Sequence, residues 1–102
     1  MLKVISLLKR KDETSPEAFA DWLLNHHAPL ARRIPGLRRY TINVLASGAD
    51  RMGADAVNEM WYDSDEARLA GMGSPEGKAA GADAAANCAS RFHVLTVEHP
   101  QF

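Results

Sequence analysis

The chain has 102 residues, of which 46% are apolar and 25% are charged. These proportions are typical of a folded globular protein and exclude a disordered one. The 12 Lys and Arg residues are balanced by 13 Asp and Glu residues, so the net charge of -1 provides no positive field for binding a nucleic acid backbone. A chain of this length forms one hydrophobic core. We therefore predict a single domain over residues 1–102, with no nucleic acid partner.

The cysteine content and the first residues of the chain indicate the cellular compartment in which the protein is expected. Cys88 has no second cysteine with which to form a disulfide, which favours a reducing, cytoplasmic location. The short apolar stretch from Val4 to Leu8 is interrupted by Ser6 and followed by charged residues. We therefore expect neither a signal peptide nor a membrane span.

The first part of the chain is predicted to form a strand and then a helix. Residues 2–9 are apolar at both alternating positions, which indicates a strand covered on both faces. A serine, a proline and an acidic residue at 15–17 are a typical helix start. Residues at spacings of three and four then predict a helical stripe facing the core. The stripe consists of Phe19, Trp22, Leu23, His26 and Leu30.

Pro29 lies inside this helical pattern. Because proline has no amide hydrogen, the carbonyl of Asn25 loses its usual partner. We therefore predict that the helix kinks or loosens near His26 and His27. A kink rotates the turn, so the sequence leaves open which of the two histidines faces a pocket.

Three further segments alternate with the two-residue period of a strand: residues 37–45, 57–62 and 91–98. Residues 46–55 are predicted to be a connection. The second strand carries two different faces. One face has Tyr40, Ile42 and Val44, and the other has Leu37, Arg39, Thr41, Asn43 and Leu45.

Two helix signals separate the last two strands. Asp63 with Glu66 is predicted to form a capping box. The Ser-Pro-Glu run at 74–76 repeats the first helix start and leads into an alanine-rich segment that ends at Ala89. So few large side chains allow close backbone approach or leave space beneath the helix.

The order strand, helix, strand, strand, helix, strand is that of the ferredoxin-like βαββαβ fold of the α+β class. Both helices then lie on one face of a four-stranded antiparallel sheet, and the other face is bare. Because the strands carry apolar residues on both faces, we expect the same sheet of a second subunit to cover the bare face.

Two segments resemble the EthD family, which is named for ethyl tert-butyl ether degradation: residues 27–30 (His-Ala-Pro-Leu) and 35–40 (Pro-Gly-Leu-Arg-Arg-Tyr), with Asn43 after them. Residues 61–67 and 97–99 are similar to the family's third-strand exit and C-terminal end. The resemblance implies a homodimeric α/β barrel with a pocket between helices and sheet. That superfamily includes methylmuconolactone isomerases, small polyketide cyclases and cofactor-free monooxygenases.

His27 is the candidate general acid or base. The resemblance implies that a histidine eight residues before the proline of Pro-Gly-Leu lies at the pocket, as in the lactone isomerases. Independently, an imidazole titrates near neutrality, and a free carbonyl of the kinked helix can fix its tautomer. The alternative is a structural histidine that caps the broken helix or bonds to Tyr40.

The remaining candidates surround this histidine. Tyr40 and Asn43 are predicted to polarise a substrate oxygen. The predicted substrate-binding residues are Trp22, His26, Arg39 and Trp61. The alternative for the aromatic residues and His26 is ordinary core packing, and for Arg39 and Asn43 it is a polar seam between subunits.

These residues lead to a hypothesis of cofactor-free proton transfer of the lactone isomerase or cyclase type, on a small cyclic or aromatic carbonyl compound. Adjacent helical residues diverge by about 100°, so His26 and His27 do not predict a metal site. Two other functions stay open. One is a non-enzymatic protein that binds a hydrophobic metabolite of a degradation pathway, and the other is a cofactor-free monooxygenase.

Overall fold

The computed structural model describes residues 1–49 and 52–102, so Asp50 and Arg51 of the predicted connection lie outside the described residues. The elements follow the predicted order. They are β1 (Leu2–Arg10), α1 (Pro16–Asp21), a π-helical segment (Trp22–His27), α2 (Ala28–Ala31), β2 (Arg39–Val44), β3 (Ala56–Tyr62), α3 (Asp65–Gly73), α4 (Pro75–Asn87) and β4 (Cys88–Thr96).

The four strands form one antiparallel sheet in the order β2-β3-β1-β4. This confirms the predicted ferredoxin-like fold. β2 begins later than predicted because Leu37 still belongs to the preceding turn, where its N–H donates to the carbonyl of Ile34. β4 begins earlier than predicted because Cys88 pairs with Arg10 across a shift in register.

Serine side chains cap three of the helices. Ser15 accepts a hydrogen bond from the N–H of Ala18 at 3.1 Å, and Ser74 accepts one from Gly77 at 3.0 Å, as the sequence predicted. The capping-box prediction at Asp63 is wrong. Ser64 caps α3 instead, because the Asp63 carboxylate is held by Arg38 at 2.8 Å.

The loosening predicted before Pro29 is a π-helical turn. The N–H of Ala28 donates to the carbonyl of Leu23, five residues earlier. A π turn holds more residues than an α turn, so His27 rather than His26 comes to lie beneath Leu23. His27 and Leu23 are buried, and His26 is exposed. The predicted place of His26 in the inward stripe is therefore wrong.

The helices cover one face of the sheet and leave the other open. Side chains such as Val4 and Leu8 of β1 point toward the helices and are buried. On the opposite face Phe92 is 66% exposed and Val94 is 49% exposed. The sheet thus has the bare apolar face that the alternation predicted. None of the helices in the described ranges is long and apolar enough to cross a membrane.

The alanine-rich helix α4 approaches α3 closely at one glycine. A Cβ on Gly77 would collide with the backbone of Gly71 and Met72, whereas a Cβ on Gly81 of the same helix would meet no atom within 4 Å. The absence of a side chain at Gly77 therefore permits the contact between the two helices.

We expect Gly77→Ala to lower the free energy of unfolding by about 1–3 kcal/mol, because backbone atoms must move to admit the methyl group. The matched variant Gly81→Ala should raise it by about 0.5–1 kcal/mol, because alanine loses less conformational entropy in a helix. Urea denaturation of both variants measures the difference. Equal effects of the two substitutions would contradict the close approach.

Candidate active site

A cavity of about 150 Å³ lies between the sheet and the helices. Its floor is formed by β1, β3 and β4, and its roof includes Ala80, Gly81 and Ala84 of α4. The small side chains of α4 do not reach down to the sheet. The space predicted beneath the alanine-rich segment is therefore present.

A row of polar side chains crosses the floor of the cavity. Asn58, Ser6 and His93 occupy paired positions on β3, β1 and β4, so their side chains point to the same face of the sheet. Ser6 Oγ lies 2.7 Å from His93 Nδ1. The Oδ1 atom of Asn58 is buried and has no hydrogen-bond partner among the described residues. A polar ligand group at this point would satisfy it.

His27 reaches the cavity from the π-helical segment. Its Nδ1 lies 2.9 Å from Oδ2 of Asp83 on α4, and only 6% of the residue is exposed. Because a carboxylate only accepts hydrogen bonds, Nδ1 carries the proton in this pair, and in the neutral imidazole Nε2 then holds the lone pair. The aspartate thus sets the tautomer and the orientation of the ring.

Asp83 is itself fixed by further donors. Nε1 of Trp22 donates to the same Oδ2 at 3.1 Å, and Nδ2 of Asn87 donates to Oδ1 at 3.2 Å. The Trp22 and His27 rings pack at 5.0 Å between centroids. Trp22 therefore lies behind the histidine and supports it, and it is not among the residues that line the cavity.

Of the two adjacent histidines, only His27 faces the cavity. The side chain of His26 is 67% exposed and lies 3.5 Å from the Asp21 carboxylate. The structure therefore decides the alternative that the sequence left open, and it places the predicted substrate-binding residue His26 in solvent.

Tyr40 lies on the helix-facing side of β2 but outside the cavity, where it lines a separate groove with Leu24, Ala28 and Arg32. Its hydroxyl is buried without a hydrogen-bond partner in the described part of the chain. Burial raises the pKa of Tyr40 to about 12, against a smaller opposing effect of Arg32. The structure thus does not bring Tyr40 to His27.

Arg39, Asn43 and Trp61 lie on the opposite, bare face of the sheet. Arg39 pairs with Trp61 across β2 and β3, and its guanidinium lies 4.4 Å from the centroid of the indole. Asn43 Nδ2 donates to the carbonyl of Val57 at 2.9 Å. Because side chains alternate along a strand, these three residues point away from the helices and do not reach the cavity. Their position agrees with the alternative of a polar seam.

Several cavity residues were not among the predicted site residues: Ser6, Asn58, Tyr62 and His93, with Asp83 behind His27. Ser6 and Asn58 could have been recognised from the sequence, because each is a polar residue on the apolar face of its strand. Asp83 could not have been recognised in this way, since an alanine-rich helix has no apolar stripe to show which of its faces meets the core.

Two side chains of β4 have a shifted pKa. Burial, and then the charges of Arg91 and Arg68, lower the pKa of His93 below its ordinary value. Burial raises the pKa of the Cys88 thiol to about 11, so this cysteine is a poor nucleophile. Within the described ranges, no group of three or more His, Cys, Asp or Glu side chains is placed to hold a metal ion.

The model of the EthD domain matches residues 11–90 of the chain. This chain belongs to the EthD family. It is 32% identical to an EthD family protein from Bacillus halodurans C-125, with 97% of this chain and 99% of that chain covered and a TM-score of 0.82. No curated protein matches this EthD-family chain.

Two more distant structures share the fold of this EthD-family chain. A dimeric ferredoxin-like protein from Thermobifida fusca YX has 23% identity, coverage of 95% and 90%, and a TM-score of 0.72. A hydroxynitrile lyase from Passiflora edulis has 16% identity, coverage of 99% and 95%, and a TM-score of 0.78. The Thermobifida fusca protein is dimeric, and for this chain, whose sheet has a bare apolar face, the homodimer stays a prediction.

We expect Tyr40→Phe to raise the free energy of unfolding at pH 7 by about 1 kcal/mol, because it removes a buried hydroxyl without a partner. In the folded state the pKa of Tyr40 lies above the ordinary value of 10, so ionisation of the phenol favours the unfolded chain. The free energy of unfolding of the wild type is therefore unaffected by this group below pH 10 and falls as the pH rises toward 12. The advantage of the phenylalanine variant should therefore grow above pH 10. Thermal unfolding at pH 7 and pH 10.5 measures both effects, and a less stable variant at pH 7 would indicate a partner for the hydroxyl.

Proposed function

We propose that this EthD-family chain is an enzyme in which His27, held by Asp83, moves a proton on a small ring compound that carries a carbonyl group. The observation that supports this most strongly is the buried imidazole at the wall of the cavity, with Nδ1 bonded to a carboxylate at 2.9 Å. An imidazole held in this way is a general base at Nε2 and, after protonation, a general acid.

In the proposed step, Nε2 of His27 takes a proton from a carbon next to the carbonyl group. The electron pair of the broken C–H bond moves onto the carbonyl oxygen, and the proton then returns to another carbon of the same conjugated system. Asp83 stabilises the imidazolium that forms between the two transfers. Since Trp22 and Asn87 also donate to this carboxylate, it keeps its orientation throughout the step.

Tyr62 takes the role that the sequence assigned to Tyr40 and Asn43, and Asn58 takes a different one. Tyr62 lines the cavity, and its hydroxyl donates to Sδ of Met72 at 3.9 Å, a weak acceptor. In the proposed step the hydroxyl exchanges this weak bond for one to a substrate oxygen, which stabilises developing negative charge. The unpartnered Oδ1 of Asn58 favours a substrate or intermediate with an O–H or N–H group at that point.

The size and lining of the cavity limit the substrate. The cavity has a volume of about 150 Å³. An engineered apolar cavity of about the same volume in another protein binds one benzene molecule. Val4, Leu8, Met60 and Met72 supply apolar contacts around the polar row. These features favour a substrate with one ring over a polycyclic compound.

The comparisons support the enzyme class only in outline. The fold that this chain shares with a hydroxynitrile lyase is one on which small-molecule chemistry takes place. Because the identity is 16%, the likeness is one of fold, and the assignment of the reaction depends on the residues of the cavity.

The test is incorporation of deuterium from D₂O into a panel of monocyclic lactones and ring ketones, followed by NMR. We expect His27→Gln to reduce the exchange rate at least 100-fold, since general acid–base catalysis contributes about 10²–10⁴-fold. Asp83→Asn should cause a smaller loss of about tenfold or more, because Nδ1 no longer bonds to a charged acceptor. His26→Gln is the matched control and should keep full activity, since His26 is exposed.

The same panel separates the alternatives. Exchange that is unchanged in His27→Gln would reject the proposed function. Binding of panel compounds without exchange would support the metabolite-binding protein, and consumption of O₂ with an electron-rich substrate would support the monooxygenase.

A further inference from the structure

We propose that the cavity binds a ring compound that carries a carboxylate, held by Arg68 and Arg91. This inference rests on the proposed function, because it names the substrate class of the same cavity. It depends on the charges that line the cavity and on the donors that these arginines have left unused.

The two arginines come from different elements and meet at one cavity. Arg68 projects from α3 and Arg91 from β4, and both line the space above the polar row. Neither is a freely solvated surface residue: the side chain of Arg68 is 24% exposed, and Arg91 is partly buried. Both lie near His93, which also lines the cavity.

No acidic residue offsets this charge within the cavity itself. No Asp or Glu is among the described residues that line it, and Asp83 stands behind His27 with its oxygens already bonded to three donors. The lining therefore carries two permanent positive charges and no negative one. Arg68 has Asp65 outside the cavity as a counterion. Arg91 has no acidic partner among the described residues, and a carboxylate in the cavity would supply one.

The arginines also retain hydrogen-bond donors for a ligand. Nε of Arg68 donates to Oδ1 of Asp65 at 2.7 Å. This bond positions the guanidinium and involves one of its three nitrogen atoms. Arg91 Nη1 reaches the carbonyl of Gly81 at 3.5 Å, at the upper limit for a hydrogen bond. Since each guanidinium has five N–H donors, a carboxylate between them can accept several charge-assisted hydrogen bonds.

Binding of benzoate and benzamide at pH 7, measured by calorimetry or NMR titration of the whole chain, tests the inference. The two probes have nearly the same shape and differ in charge. We expect benzoate to bind at least tenfold more tightly, a difference of about 1.4 kcal/mol. Arg68→Gln and Arg91→Gln should each weaken benzoate binding by about tenfold and leave benzamide binding unchanged. Arg33→Gln, at an exposed arginine of the turn after α2, is the matched control and should change neither.

Equal affinity for the two probes, benzoate affinity that survives both arginine substitutions, or no saturable benzoate binding would each overturn the carboxylate site. The outcome is separable from that of the proposed function. A preference for benzoate that persists in wild type and His27→Gln, without deuterium exchange in any panel compound, would keep the carboxylate site and reject the proton transfer. Exchange that depends on His27 but is confined to neutral rings, with no preference for benzoate, would do the reverse.

Discussion

The hydrogen bond between His27 Nδ1 and Asp83 joins two helical segments above the sheet, and the candidate site depends on it. It connects the π-helical segment to α4, whose alanine side chains bury too little apolar surface to bind a neighbouring helix strongly. Trp22 adds a second donor to the same carboxylate oxygen. The bond thereby does two things: it positions the imidazole, and it helps to hold α4 in place as the roof of the cavity.

The cavity departs from the close packing of an ordinary core. A space of about 150 Å³ between the helices and the sheet is one that larger side chains could occupy. One leucine or methionine in place of Ala80 or Ala84 would fill part of it. A space kept open beneath small residues, with a polar row on its floor and two arginines at its wall, is an arrangement suited to binding and a poor one for packing.

The two faces of the sheet carry different groups of residues. The face toward the helices carries the cavity, while the opposite face carries Phe92 and Val94 together with the stacked pair of Arg39 and Trp61. The apolar residues of that face predict a second subunit as its cover. The catalytic proposal does not need the aromatic and polar residues of the bare face.

The sequence by itself determined the order of the elements, the faces of the strands and the helix starts at Ser15 and Ser74, because these depend on local alternation and capping. It also determined that the helix loosens before Pro29, since a missing amide hydrogen acts locally. Only the tertiary structure decided that His27 faces inward, that Asp83 meets it from 56 positions away, and that Asn43 lies across the sheet. The positions of His27 and Asp83 depend on the width of a π turn and on the rotation of an alanine-rich helix, and neither leaves a periodic signal in the sequence. The position of Asn43 depends on which of the two alternating faces of β2 the helices cover.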